Sequence, residues 1–517
     1  MAVGAILRLY DLSLVPFHHD EGVNGNFLVR LVREGFYHYD PGNYHGPTLY
    51  YFSAIIPWIF RFLFGQAAQN NYGLNTVTVR VVPALFGLGT IWLVLLLRRR
   101  IGTIGALCAA ALLAVSPGAV YLSRYFIHET LFVFFTLGVV VAGLKYYEVG
   151  NPVYVVLASL SAALLFATKE TAVISAAVLA IALATTHLYL WFMNRFFQRD
   201  RKQWRSERER KTGSQTSALR RLGGAKKLAL LSLIAIIVFV GVNVLFYSSF
   251  FNNYPKGVYD AVKTFEFWTK TGKEAHVHPI TTYIWWLLRQ ELPIIFLGTI
   301  GAALIVWKPR NAFALFSALW GFGLLAAYSL IGYKTPWLVL SFVVPLALIS
   351  GYALQVVYDW GLGQIRLIIA TMLLAVAISG YKTVDLNFFN YDNDDQSYVY
   401  VYAHTRRELL ALVDEIEKVA ERTKLASKTG ITIVSTDYWP LPWYLRDYTG
   451  VGYHGRMTSS TEPVIIASES QGAEIQTNFG DRYQQIHSGS NSAGSYPLRP
   501  GVNLLLYVRR DALGLTP

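Results

Sequence analysis

A polytopic α-helical membrane protein of about eleven transmembrane helices, followed by a small C-terminal α/β domain, is the fold class the sequence predicts. Three observations predict it. The 517 residues are 54% hydrophobic and only 15% charged, where soluble domains sit near a quarter charged. Ten apolar runs approach the roughly 20 residues that cross a bilayer. Beyond about Leu386 the runs stop and an alternating, charged sequence takes over.

The chain opens with a short apolar segment, Met1 to Leu7, ahead of Arg8. It is too short for a span, so the expectation is that roughly 10–15 further apolar residues upstream complete the first helix. The polar stretch "VPFHHDEGVNGNFLVR" follows from Val15. The run "TLYYFSAIIPWIFRFLFG" from Thr48 is interrupted by Pro57 and Arg61 and reads as interfacial. Candidate spans then cover 79–97, 104–123, 127–146, 152–168, 171–193, 228–247, 283–306, 312–331, 337–357 and 364–381.

Positive charge orients them. With Asp20 outside, Arg98–Arg100, Lys145, the loop 194–227, Lys308–Arg310 and Arg366 all fall on the cytoplasmic side, as the bias of basic residues requires. The N-terminus is then cytoplasmic, and the chain is a multi-pass protein of the cell (plasma) membrane. The outer face collects Asp20–Glu21, the Tyr37–His45 segment, Arg124–Glu129, Lys169–Glu170, the loop 248–280 and Gly332–Trp337. The membrane domain is thus 1–385, with an outer loop over 17–78.

Residues 386–517 read as a soluble extracytoplasmic domain. In "AHTRRELLALVDEIEKVAERTK" an apolar stripe of Leu409, Val413, Ile416 and Ala420 recurs at helical spacing. "ITIVST", "PVIIAS" and "NLLLYVRR" read as strands.

Several function classes are excluded. Net charge is +13, but residues 195–227 alone hold twelve Lys or Arg against three acids. A basic loop between spans is a topology signal, not a nucleic-acid site. The single cysteine, Cys108, lies in an apolar run and forms no intrachain disulfide. No P-loop, dinucleotide fingerprint or zinc-finger spacing occurs, so no nucleotide cofactor is expected.

An ionisable group at a membrane edge is costly and is a functional candidate by default. Asp20 and Glu21 have two readings: caps of the next helix, or chemistry. Arg124, Lys169 and Lys334 stand at outer helix ends, where the competing reading is snorkelling to the interface. The ordered set "HHDEG", "YHGPTLYY", "TVRVVPALFG", "SPGAVYLSRYFIHE" and "FATKE" resembles the GT-C glycosyltransferase superfamily over roughly residues 8 to 380. Protein O-mannosyltransferases and lipid A aminoarabinose transferases belong to that superfamily. Within it, the chain is most similar to a prokaryotic branch associated with archaeal-type N-glycosylation and lipid flipping. "HGPTLYY" lacks the usual double proline, and "SRYFIHE" has Glu129 where an Asp often follows the Arg.

The resemblance implies transfer of a sugar from a polyprenyl-phosphate donor to an acceptor glycan, lipid or protein at the cell envelope. Asp20, with Glu21, would serve as general base or metal ligand. Arg124, Lys169 and Lys334 would bind the donor phosphate. The loop bearing His276, His278 and Tyr283 would be the mobile substrate loop. One divalent metal ion would have His45, Glu129 and His278 as ligands. Two rival readings are a flippase for lipid-linked sugars and a non-catalytic scaffold subunit. A flippase calls for ionisable groups through the spans, whereas these collect on one face.

Overall fold

The structure is a computed structural model that describes residues 1–42, 45–196, 224–270, 277–361, 364–395, 397–489 and 494–515. The chain forms two compact units. One comprises Met1–Tyr10, Phe36–Ile55 and Thr78–Phe389; the other comprises Asp11–Gly35, Ile56–Val77 and Asn390–Pro517. Residues 11–35 and 56–77, which the sequence groups with the membrane helices, cluster here with the C-terminal residues.

Among the described residues seven helices are long and apolar enough to cross a membrane, or nine when two bent pairs are each counted as one span. Length and composition therefore do not reach eleven. Ala2–Leu9 has 8 residues and Val153–Phe166 has 14. Pro336–Asp359 is the centre of the bundle, 94% buried, and it packs against the helices Thr103–Ala114, Leu292–Trp307 and Ala312–Leu330. Gly224–Tyr247 is peripheral, with 6% buried.

The runs 104–123 and 283–306, which read as single spans, are both broken. Thr103–Ala114 and Pro117–Ser123 meet at 59°, and Thr282–Gln290 and Leu292–Trp307 at 113°. Each second half carries a proline in its first turn, Pro117 and Pro293. Proline has no N–H to continue the preceding helix and suits the start of a new one. Hydropathy does not register such a break. The two breaks are tied together by Glu291, a fully buried carboxylate. It accepts the Ser116 hydroxyl at 2.9 Å and the Gly118 N–H at 2.7 Å, satisfying donors that open the helix Pro117–Ser123.

The second unit holds a six-stranded sheet: β1 Gly430–Ile433, β2 Gly450–Tyr453, β3 Val464–Ser468, β4 Tyr483–Ile486, β5 Tyr496–Arg499 and β6 Val502–Arg509. The order is β2-β1-β3-β6-β4, with β5 also on β6; β1 is parallel to β2 and β3, and β6 is antiparallel to β3, β4 and β5. Alternation along the strands serves two cores. Ile431, Ile433, Ile466 and Leu506 pack beneath the helix Glu408–Thr423, while Ile465, Ala467, Leu505 and Tyr507 pack with Ile475 and Phe479 of Gly472–Phe479. Glu408–Thr423 buries Leu409, Leu412, Ile416, Val419 and Ala420. The expected stripe is present, with Val413 at its partly buried margin.

Candidate functional site

In the second unit the stretch around Asp20 begins the helix His19–Glu34. His18 is its N-cap and its Nδ1 accepts the Asp20 N–H at 3.2 Å. Glu21, three residues on, returns the contact by accepting the His18 N–H at 2.9 Å, which completes a capping box. Glu21 is fully buried in that role. Asp20 is half-buried, and its carboxylate has no hydrogen-bond partner among the described residues. The two acids are therefore divided: Glu21 holds the helix and Asp20 is available for other work.

Neighbouring residues fix the helix in place. Phe17 stacks on Trp443 with ring centroids 4.4 Å apart, and its N–H donates to the Tyr444 hydroxyl at 2.9 Å. Arg33 donates to the Arg446 carbonyl at 2.7 Å and pairs with Asp447. Gly22 is required by close approach, since a Cβ there would lie 2.6 Å from Pro440. His19 faces Trp439 at 6.1 Å. Burial pulls its imidazole pKa down, against the pull of Asp20's charge in the other direction.

The membrane unit carries a second polar cluster, built from three sequence-distant segments. His45 and Lys169 form an isolated antiparallel bridge, and Gly46 and Thr48 donate to the carbonyls of Thr168 and Ala167, both at 3.1 Å. Position 46 must be glycine for this approach, because a Cβ would stand 2.0 Å from the Ala167 oxygen. Lys169 Nζ donates to Glu129 Oε1 at 2.6 Å in a buried ion pair. Burial opposes the charge on Lys169, but Glu129 and Glu170 outweigh it and raise its pKa above the lysine range. His45 Nδ1 lies 3.3 Å from Glu170 Oε2.

His128 completes the cluster, and sequence reasoning missed it although it adjoins Glu129. Burial, reinforced by His45 and Lys169, holds its pKa well below the usual histidine value, so the ring is neutral. Its Nε2 lies 3.0 Å from the Gly46 carbonyl; a carbonyl only accepts, so this nitrogen carries the proton. Glu291, at the two helix breaks, is likewise a buried acid that periodicity did not single out.

The remaining expected site residues lie as follows. Arg124 donates to the carbonyls of Leu7 at 3.2 Å and Tyr10 at 2.6 Å and lies over the Phe388 ring, closing the end of the first helix. Lys334 is buried, and it donates to the carbonyls of Ile331 at 2.6 Å and His278 at 3.2 Å, joining the segment around His278 to the turn before Pro336. Desolvation lowers its pKa. Tyr283 is buried against Phe342 and Trp286. His276 lies outside the described residues. Among the described residues no three His, Cys, Asp or Glu side chains converge as a metal site. His45, Glu129 and His278 are not gathered, because Glu129 is held by Lys169 and the carboxylate beside His45 is Glu170.

Comparison with known proteins accords with this architecture. Residues 53–204 match the family described as dolichyl-phosphate-mannose-protein mannosyltransferase. ArnT from Cupriavidus metallidurans superposes with a TM-score of 0.61 in the apo state, at 13% identity over 100% of this chain and 98% of that one. The chain has the GT-C fold. ArnT bound to undecaprenyl phosphate gives a TM-score of 0.62 at 14% identity, covering 98% of this chain and 96% of ArnT. The GT-C fold also relates the chain to the archaeal oligosaccharyltransferase AglB from Archaeoglobus fulgidus, solved with an inhibitory peptide and a dolichol-phosphate. There the TM-score is 0.54 at 13% identity, over 91% of this chain and 68% of AglB. No curated protein matches the sequence.

Proposed function

We propose that the protein is a membrane glycosyltransferase that moves a sugar from a polyprenyl-phosphate donor to an acceptor on the extracytoplasmic face, with Asp20 as general base. The observation that carries the reading is the division of labour at the helix start: Glu21 is buried in the capping box while the half-buried Asp20 carboxylate has no hydrogen-bond partner among the described residues. A carboxylate so placed can accept a proton. In the reaction the bond from the sugar's C1 to the phosphate oxygen breaks, leaving its electron pair on the phosphate. The acceptor oxygen or nitrogen bonds to C1 and its proton passes to Asp20.

The donor class is supported by the lipids held in two structures of this fold, undecaprenyl phosphate in ArnT and dolichol-phosphate in AglB. The growing charge on a leaving phosphate calls for a cation. Arg124 is committed to helix-end carbonyls and Lys169 to Glu129, so the phosphate role goes first to Lys334. Two carbonyls take two of its three N–H donors, and a phosphate would restore the full charge that burial disfavours. The outward orientation of Asp20 and of the C-terminal unit rests on the distribution of basic residues.

Mass spectrometry of lipid co-purified with the protein tests the donor assignment. The wild type should retain a polyprenyl phosphate or its glycosylated form, and Lys334→Ala should retain roughly tenfold less, the cost of about one charge-assisted hydrogen bond. Equal retention by both proteins would remove Lys334 from the donor site.

A further inference from the structure

The motif "DYWPLPWYLRDY" is only partly explained by packing. Trp443 and Leu441 are buried under the helix His19–Glu34 and the sheet. The first half of the motif remains partly exposed, and it stands beside Asp20 within the same unit. Trp439 is half-buried, lies 6.1 Å from His19 and adjoins Tyr438 at 5.8 Å, which in turn meets Tyr453 at 5.1 Å. His18 Nε2 is 2.8 Å from the Tyr402 carbonyl, which sets Tyr402, an exposed residue, against the same helix start. Asp437 forms an ion pair with Arg499. The electrostatic couplings agree with this grouping: Asp20 and Arg499 both act on Tyr402, and Asp20, Arg499 and Asp437 all act on His19.

We propose that Trp439 and Tyr402, with Asp437 and Arg499, form a binding site beside Asp20 for a sugar ring of a neutral glycan acceptor. This rests on Asp20 as the base. Each face of a pyranose ring is partly a patch of C–H groups, which packs on an aromatic face, and its edge is a row of hydroxyls that both donate and accept. The site offers both complements: amphipathic aromatic rings and a paired carboxylate and guanidinium that together accept and donate without net charge. A phosphate-bearing ligand would meet two carboxylates, Asp20 and Asp437, against the Arg499 guanidinium. A peptide that docked by strand addition would need a long free edge, and the nearby β2 is a four-residue strand with two glycines, a short edge of the kind that resists augmentation. Gly22 against Pro440 fixes the helix bearing Asp20 relative to Trp439, so the acceptor hydroxyl and the base would be held in one geometry.

The test uses the full-length protein in lipid nanodiscs, free of maltoside detergent, with chitobiose, mannobiose and cellobiose as probes. Saturation-transfer NMR should show ring C–H contact for at least one disaccharide. Binding should fall about tenfold or more in Trp439→Ala and stay within about threefold in Trp439→Phe, which keeps an aromatic face. Tyr402→Ala, at an exposed side chain, should weaken binding without lowering the melting temperature. Asp20→Asn should still bind the disaccharide. No contact with any probe, or equal contact in wild type and Trp439→Ala, would overturn the site. Trp439-dependent binding of a Ser/Thr-containing peptide with no disaccharide binding would overturn the glycan assignment. An Asp20→Asn protein that binds disaccharide and transfers sugar at the parental rate would instead remove the base and leave this site standing.

Discussion

Asp20→Asn should insert and melt like the parent, keep its bound lipid and fail to transfer sugar. Removing general-base assistance costs about 10²–10⁴ in rate. The substitution preserves size, and the helix start is held by His18 and Glu21 rather than by the Asp20 side chain, so stability has little to lose. Glu21→Gln should be mild, because an amide oxygen still accepts the His18 N–H. Glu21→Ala should lower stability by about 1 kcal/mol, the usual cost of a lost cap, and leave the chemical step intact. A steady-state assay beside a thermal melt separates the two residues. If Glu21→Gln loses transfer and Asp20→Asn keeps it, the roles are reversed.

Lys169→Met should be strongly destabilising, by about 3–5 kcal/mol, because it leaves Glu129 buried without its cation. The turn that Lys169 anchors also holds the His45–Thr48 segment through the Thr168 and Ala167 carbonyls, so loosening should spread to His45 and His128. Adding Glu129→Gln should recover much of the loss, since the double variant no longer buries an unpaired carboxylate at position 129; Glu170 keeps its contact with His45. Melting temperatures of the two single variants and the double in nanodiscs complete the cycle. Additive losses would mean that the pair is not the organising contact.

The sequence located nearly every helix of the membrane unit, because a span must be about 20 apolar residues long and hydropathy reads that length directly. Two features escaped it for physical reasons. The breaks at Pro117 and Pro293 leave composition unchanged while turning the chain by 59° and 113°. The packing of His19–Glu34 with residues of the C-terminal unit depends on single contacts between positions hundreds of residues apart, such as Phe17 on Trp443 and Gly22 on Pro440. At the site, the common sidedness of "HGPT", "FIHE" and "TKE" anticipated their convergence on Lys169. It did not reveal that Glu129 faces Lys169 while Glu170 faces His45, because adjacent acids differ only in direction. The alternative readings of Asp20 and Glu21, cap or chemistry, were both open from sequence; geometry assigns the cap to Glu21.

Transfer can be separated from translocation most directly with metabolically labelled polyprenyl-phosphate sugars from the source cells, reconstituted with the protein in right-side-out and inverted vesicles. An envelope extract is added to the outside as acceptor. The account predicts that label leaves the lipid and appears in the acceptor in right-side-out vesicles, that inverted vesicles leave it on the lipid, and that Asp20→Asn abolishes the transfer. Label that crosses the bilayer while staying attached to its lipid, equally in wild type and Asp20→Asn, would contradict it and identify a flippase.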